Sequence, residues 1–214
     1  MNTTKDTLKE LFASLDEKDY CSVANFHIHT TASDGKLTPQ EVLAEAKSLG
    51  LKHFSICDHN TFDAYKNINF EEVQGLVVGI EFDCWYRGIF LHLLAYGADI
   101  NSPELKPFLA KNKAETEKDI VRIFARRNVP KLIEAIHKAG GIAVLAHSAC
   151  CWTINHEHFV KCMVDIGLDG LECYYPYRRH RGIIKFHTAA TVKKIAEKFN
   201  LVKTGGTDAH GSLS

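Results

Sequence analysis

The sequence predicts an α/β fold with a mainly parallel sheet, and three observations carry that reading. Seven short apolar runs have the length and composition of strands. Helical patterns separate most of them, which makes neighbouring strands parallel. No low-complexity stretch or linker divides the 214 residues, so one main body is expected. Seven β-α units in a chain of this length suggest either a barrel or a doubly wound sheet, and in both the carboxyl ends of the strands carry function.

Leu8, Leu11, Phe12 and Leu15 have helical spacing, so residues 1–22 read as an amphipathic N-terminal helix laid against a main domain of residues 23–214. That domain opens with a strand, VANFHIHT, at 23–30. Thr38-Pro39-Gln40-Glu41 then offers an N-cap, a proline at the first helical position and a capping-box glutamate. The helix 39–49 puts Val42, Leu43, Ala46 and Leu49 on one face and stops at Gly50. HFSICDHN (53–60) is the second strand, LVVGIEFDCWY (76–86) the third and GIFLHLLAYG (88–97) the fourth, the last two close enough to form a hairpin through Arg87-Gly88. Residues 103–139 are charged and helical in pattern, and Pro130 is expected to split them into two helices. GGIAVLAHS (140–148), GLECYY (170–175) and VKTGGTDAH (202–210) complete the strands, with helical stretches near 155–166 and 182–199.

Composition narrows the function. A chain of this size buries roughly 70% of its unfolded surface, so its core needs no structural metal, and any metal is there for chemistry. With 26 Lys+Arg against 26 Asp+Glu there is no electrostatic sleeve for duplex nucleic acid, and stable duplex binding is not expected. The seven cysteines include no C-x-x-C pair and read as reduced thiols of a cytoplasmic protein. Neither a signal peptide nor a membrane span is expected, since no stretch approaches 18 uninterrupted apolar residues.

Twelve histidines are the anomaly, and their positions are ordered. His27 and His29 stand two apart near the end of the first strand, so both side chains leave one face. Asp34 follows in the next loop, and Asp58-His59 ends the second strand. Glu81 lies in the third strand, His92 in the fourth, His147 at the end of the fifth, and Asp208 with His210 at the end of the last. One such residue is usually a satisfied polar group or a helix cap. Nine of these ten, Asp58 left aside, stand in matching places and form a set. Imidazole and carboxylate without thiolate suit Zn, Mn or Fe, and nine ligands exceed the needs of one ion, so more than one metal is implied. Glu81, in the middle of the set, can bridge two ions. His53, His137, His156, His158, His180 and His187 fall outside the pattern and read as surface or packing residues.

His27-Ile28-His29, Asp34-Gly35, Asp58-His59-Asn60, Gly79-Ile80-Glu81, His92, Leu145-Ala146-His147 and Gly206-Thr207-Asp208-Ala209-His210-Gly211 resemble, in order, the motifs of the PHP (polymerase and histidinol phosphatase) superfamily of metal-dependent phosphoesterases. The resemblance covers about residues 23–211. It implies a distorted (β/α)7 TIM-like barrel with two or three divalent ions at its carboxyl-terminal mouth. Carried over residue by residue, one ion takes His27, His29, Glu81 and Asp208, a second Glu81, His92 and His147, and a third Asp34, His59 and His210. Glu81, Asp208 and His210 are the residues expected to carry catalysis, and Asp58, facing away from the mouth, is expected to orient a ligand. The implied reaction is attack of a metal-bridging hydroxide on a small phosphomonoester or nucleotide, including a nucleoside bisphosphate or the end of a short oligonucleotide. The alternatives are histidinol-phosphate hydrolysis and a non-catalytic metal-binding accessory module. Three features depart from the family pattern: Ser148 follows His147 where proline is common, the insertion between His92 and His147 is short, and the sequence ends four residues after His210. The last two leave the lid, and with it the substrate, open.

A phosphate substrate calls for cations with bidentate geometry. Arg178, Arg179 and Arg181, after the sixth strand, are the densest cluster, with Lys36 and Arg87 as further candidates. Trp152, Tyr174 and Tyr175 read as packing residues or as stacking partners for a ring, and Arg122, Arg126 and Arg127 as a solvated helix face. The cysteines near the site read as small buried residues, with Cys150 or Cys151 as a further metal contact.

Overall fold

Side chains alternate across a strand, so each strand of this chain divides its residues between the inside of a barrel and an outer helical layer. The structure, a computed structural model, describes residues 4–124, 126–176 and 187–213. Its strands are β1 (Ala24–Ile28), β2 (His53–Ile56), β3 (Leu76–Tyr86), β4 (Ile89–Tyr96), β5 (Ile142–Leu145), β6 (Gly170–Tyr174) and β7 (Val202–Gly205). They form one seven-stranded sheet in sequence order. All neighbours run parallel except β4, which is antiparallel to both β3 and β5. The β-α rhythm therefore breaks at a hairpin. Its two-residue turn, Arg87-Gly88, has positive φ at both positions, the geometry that matches strand twist.

The sheet closes at one end. The His29 amide donates to the Ala209 carbonyl at 2.9 Å and the Ala209 amide to the His27 carbonyl at 3.3 Å, which joins β1 to the chain just beyond β7. Gly206 permits that approach, because a Cβ there would lie 2.4 Å from the His27 backbone nitrogen.

The inner faces form layers. Phe26, Val77, Leu94, Tyr96, Ile142 and Val144 make an apolar floor, and Leu8 and Phe12 of the N-terminal helix α1 (Lys5–Ser14) complete it from below. The Phe12 ring packs on Phe26 and Tyr96 with centroids 4.7 and 5.3 Å away. The outer faces, Ile28, Ile56, Ile80, Phe82, Leu145 and Leu171 among them, share a second core with the surrounding helices. These helices are α2 (Pro39–Ser48), α5 (Val129–Lys138), α6 (His156–Val164) and α7 (Ala189–Lys198). In α2 the capping box forms as expected: the Glu41 amide donates to Thr38 Oγ1 at 3.2 Å and the Thr38 amide to Glu41 Oε2 at 2.7 Å.

Strands end earlier than the sequence suggests, so Asp58, His59, His147, Asp208 and His210 sit on the loops that follow them. Residues 103–139 differ more. Instead of two helices, a 3-10 turn at Lys106–Phe108 and two one-turn helices, α3 (Ala114–Glu117) and α4 (Asp119–Arg122), precede α5. The reason is the lack of an apolar stripe: Ile120 and Phe124 are 73% and 69% exposed, and a short helix with no face to bury is marginal in water. Pro130 splits nothing. It lies in the first turn of α5, where its missing N–H has no partner to lose, behind an Asn128 cap on the Lys131 amide at 3.1 Å. Of the 182–199 helix, α7 is described and residues 182–186 lie outside the described residues. No helix among the described residues is long and apolar enough to cross a membrane.

Candidate metal centre

Two residues along each inner face, the apolar floor gives way to nitrogen and oxygen. On β3 the order is Val77, Gly79, Glu81, Asp83. On β4, which runs the other way, Tyr96 and Leu94 precede His92 toward the mouth, so an antiparallel strand still delivers its histidine to the right end. On β1 the pairs Asn25 with Phe54 and Ile28 with Ile56 leave one extra residue on β1, and this shift lets Phe26 join the floor while His27 and His29 turn to the mouth.

The mouth residues converge on Glu81, which is 1% exposed. Its Oε2 lies 3.3 Å from both His27 Nε2 and His29 Nε2 and 3.5 Å from His59 Nε2. Its Oε1 lies 3.0 Å from His92 Nδ1 and 3.2 Å from His147 Nε2. Asp208 Oδ1 is 3.1 Å from His29 Nε2 and 3.5 Å from His27 Nε2. Asp34 faces His210 Nε2 at 3.3 Å and His29 Nδ1 and His59 Nε2 at 3.7 Å. Three groups have donor atoms within 4.8 Å of one another: His27/His29/Glu81/Asp208, His59/Glu81/His92 and His29/Asp34/His59/His210. His147 stands outside these groups but touches Glu81 and, at 3.2 Å, His92 Nδ1.

A divalent ion fits this arrangement. His27 Nε2, both ring nitrogens of His29, His59 Nδ1, Glu81 Oε2 and Asp83 Oδ1 are buried without a hydrogen-bond partner, a costly state that a cation relieves. The electrostatics agree. Burial alone would depress the His27 imidazole, but Glu172, Glu81 and Asp208 overcome it and hold it well above its ordinary value. Burial is likewise overcome at His29, raised to about 9 by Asp208 and Glu81, and at His92, raised to about 10 by Glu81 and Asp83. His59 is the exception: burial dominates and takes it down to about 3. Glu81 and Asp208 stay well below the usual carboxylate range because the imidazoles around them outweigh burial. A field that draws protons onto imidazoles also favours a metal, whose binding displaces those protons.

A ring of groups behind the cluster aims it, and most of that ring was not foreseen from sequence. Glu172 lies on β6, the strand from which the sequence names no site residue: its Oε1 holds His27 Nδ1 at 2.9 Å and its Oε2 accepts the His147 amide at 2.7 Å. The sequence shows only a lone carboxylate inside the apolar run GLECYY, and the structure buries it completely. Asp83, two residues beyond Glu81 and on the same face, reaches His92 Nε2 at 3.1 Å, His59 Nδ1 at 3.5 Å and the Asn60 side-chain amide. Asp58 orients backbone and hydroxyls rather than a ring. It accepts the Thr30 amide and hydroxyl at 2.7 and 2.6 Å and the Ser33 hydroxyl at 2.6 Å, pinning the loop that carries Asp34. The Tyr175 hydroxyl donates to Asp208 Oδ2 at 2.9 Å, so this residue belongs to the site. Asn60, His147 and Asp208 all have positive φ, a strained backbone concentrated where strands hand their side chains to the mouth.

The expected substrate cations divide. Arg178, Arg179 and Arg181 lie outside the described residues. Lys36 is exposed at the rim, its amide donating to the His210 carbonyl at 3.0 Å. Arg87 donates to Cys162 Sγ of α6 at 3.0 Å, on the outer layer. Arg122 reverses its expected role: it is 6% exposed, and its Nη1 donates to Asp34 Oδ2 at 2.7 Å. Trp152 is 77% exposed. Burial pushes the Cys57, Cys151 and Cys173 thiols up to about 12, which keeps them protonated.

Known proteins share this construction. The chain is 27% identical over 161 residues to the 5'-3' exoribonuclease Rnm of Salmonella typhimurium, covering 72% of this chain and 53% of that protein. It spans about half the length of the exoribonucleases it matches. It is 23% identical to the phosphoribosyl 1,2-cyclic phosphate 1,2-diphosphodiesterase of Eggerthella lenta, covering 89% of this chain and 95% of that one. Among solved structures, a Bifidobacterium adolescentis protein assigned as a metal-dependent phosphoesterase superposes with a TM-score of 0.67 at 20% identity, covering 90% of this chain and 89% of that one. An amidohydrolase from Chromobacterium violaceum superposes with a TM-score of 0.69 at 16% identity, covering 88% and 87%. The PHP domain model matches residues 25–164, the stretch that carries His27 through His147, and the chain belongs to the PHP domain family.

Proposed function

We propose that this chain is a metal-dependent phosphoesterase that hydrolyses a small phosphomonoester or a nucleotide, including a nucleoside bisphosphate or the end of a short oligonucleotide. The observation that carries the reading is the set of buried, unpartnered nitrogen and oxygen atoms around Glu81 at the open end of the barrel. The exoribonuclease and cyclic-phosphate diesterase activities of the relatives support phosphorus as the reacting centre. Two or three ions of Mn, Zn or Fe suit ligands that are all imidazole or carboxylate.

His27, His29, Glu81 and Asp208 would hold one ion, Glu81 with His92 and either His59 or His147 a second, and Asp34 with His210 part of a third. Divalent ions there supply Lewis acidity toward phosphoryl oxygens and lower the pKa of a water nucleophile. The chain's own groups set the stage. Glu172 fixes the His27 ring so that Nε2 faces the mouth, and the Asp83 carboxylate lies 3.1 Å from His92 Nε2, on the side of the ring away from Nδ1 and Glu81. Glu81, held as a carboxylate, ties two groups together. His210, 38% exposed on its side chain, stands where substrate enters, with Nδ1 held by the Asp208 carbonyl at 3.0 Å. The thiols of Cys57, Cys84, Cys151, Cys162 and Cys173, none of them in a disulfide, support the cytoplasmic placement.

A panel of phosphate monoesters, nucleoside bisphosphates and 5'-phosphorylated oligonucleotides, assayed with Mn²⁺ and with Zn²⁺, tests the reading. Metal-dependent phosphate release from one class is expected. No release from any class by protein that carries metal would overturn it.

A further inference from the structure

The three ligand groups overlap, and the overlap is unequal. A neutral imidazole offers one lone pair, since its other nitrogen carries hydrogen. His29 belongs to the first and third groups, but its Nε2 faces Asp208 at 3.1 Å and Glu81 at 3.3 Å, whereas its Nδ1 is 3.7 Å from Asp34. Committed to the first group through Nε2, His29 leaves the third with an N–H. His59 is shared through a single nitrogen, its Nε2 lying 3.5 Å from Glu81 and 3.7 Å from Asp34, and one lone pair serves one ion at a time. The third group therefore keeps only Asp34 and His210 to itself.

Asp34, the single carboxylate of that group, is already engaged. Arg122 Nη1 donates to its Oδ2 at 2.7 Å and to the Thr116 carbonyl at 3.2 Å, while Nη2 pairs with Asp119. Arg122 Nε is buried without a hydrogen-bond partner, 3.8 Å from Asp83 Oδ1. The guanidinium is thus a full positive charge built into the wall of the third group, set against Asp34, Asp83 and Asp119. It cannot be discharged, because arginine stays protonated in proteins. A divalent ion at the same carboxylate would meet like charge at close range.

We propose that the mouth of this barrel binds two divalent ions tightly and that Arg122 stands in for a third, holding Asp34 and weakening cation binding at His29/Asp34/His59/His210. The inference rests on the reading of the mouth as a metal centre and settles how many ions that centre keeps. It also gives the irregular stretch around α3 and α4 a purpose, since α4 carries the guanidinium over the rim.

The test counts Mn²⁺ alone on the chelator-stripped full chain, by electron paramagnetic resonance of free Mn²⁺ and by elemental analysis after desalting. Wild type should saturate two tight equivalents, with any third at least about tenfold weaker, the size expected of a screened like-charge contact. R122M should tighten that third equivalent by about tenfold or more, and R122K, which keeps the charge, should behave as wild type. His210→Ala in the R122M background should remove the third equivalent and leave two. If R122M does not fold, R122Q keeps donors toward Asp34 and Thr116 without the charge and makes the same forecast. Three equally tight equivalents in wild type, or a third unaffected by loss of the charge, would overturn the role of Arg122 and leave the metal centre standing. Less than one equivalent in wild type would overturn both.

Discussion

The floor and the mouth of the barrel are built from the same strands and obey opposite rules. On β3, Val77 belongs to the floor and Glu81 to the mouth; on β4, Tyr96 and His92 stand in the same relation. Below, Leu8, Phe12, Phe26 and Tyr96 pack carbon against carbon, and the Tyr96 hydroxyl is satisfied by the Phe26 carbonyl at 2.9 Å. Above, six polar atoms of His27, His29, His59, Glu81 and Asp83 are buried with no hydrogen-bond partner. A site so costly persists only because something else holds the fold. The two layers should therefore respond to mutation in opposite ways.

The mouth offers the largest effect. Glu81→Gln removes the carboxylate common to two ligand groups, so kcat/KM should fall by about a thousandfold or more and metal content should drop with it. Near-normal turnover in Glu81→Gln, with activity lost in His27→Ala, would show that Glu81 is not the bridge.

The floor gives the reverse. Phe12→Ala opens a cavity against Phe26 and Tyr96 and should cost about 3–5 kcal/mol of stability in denaturant melts. Mn²⁺ affinity of the molecules that remain folded should not change. A parallel loss of metal affinity would mean that the layers are coupled.

Between the layers stands Glu172. Glu172→Gln leaves every proposed ligand in place but weakens the hold on the His27 ring and on the His147 amide, and metal affinity should fall about ten- to a hundredfold. Little change in melting temperature is expected without metal. Unchanged affinity would reduce Glu172 to a packing group.

What the sequence revealed follows from the same geometry. Strands and their two-residue alternation are local, so the sheet, the H-x-H pair of β1 and the positions of Glu81 and His147 were legible from spacing alone. Glu172 was not, because a lone carboxylate in a strand does not say whether it faces solvent, a ligand or a helix. Asp83 was hidden beside Glu81 for the same reason. Arg122 was illegible in principle: its burial depends on how an aperiodic excursion between β4 and α5 folds back over the rim, and no pattern in that excursion records the return. The antiparallel course of β4 was written in its short turn, but its consequence, that His92 reaches the mouth from the start of its strand, emerges only once the register pairs it with Asp83.

The smallest effect separates the rim from the outer wall. Lys36 is exposed beside His210 and Gly211, where an entering phosphate would pass, whereas Arg87 spends its guanidinium on Cys162 of α6 and on the face of Tyr86, 5.9 Å from the ring centre. An exposed cation acts through water and salt, so its contribution is small, about 0.2–1 kcal/mol. Lys36→Ala should therefore raise KM for a phosphorylated substrate by about two- to fivefold, with kcat unchanged, and the effect should fade as salt rises over the range that shortens the Debye length. Arg87→Ala should leave KM and its salt dependence as they are. Steady-state kinetics of both variants at low and high salt would decide the matter. If Arg87→Ala were the one to raise KM, substrate would have to reach across the hairpin tip toward α6, and the entry side of the barrel would be reassigned.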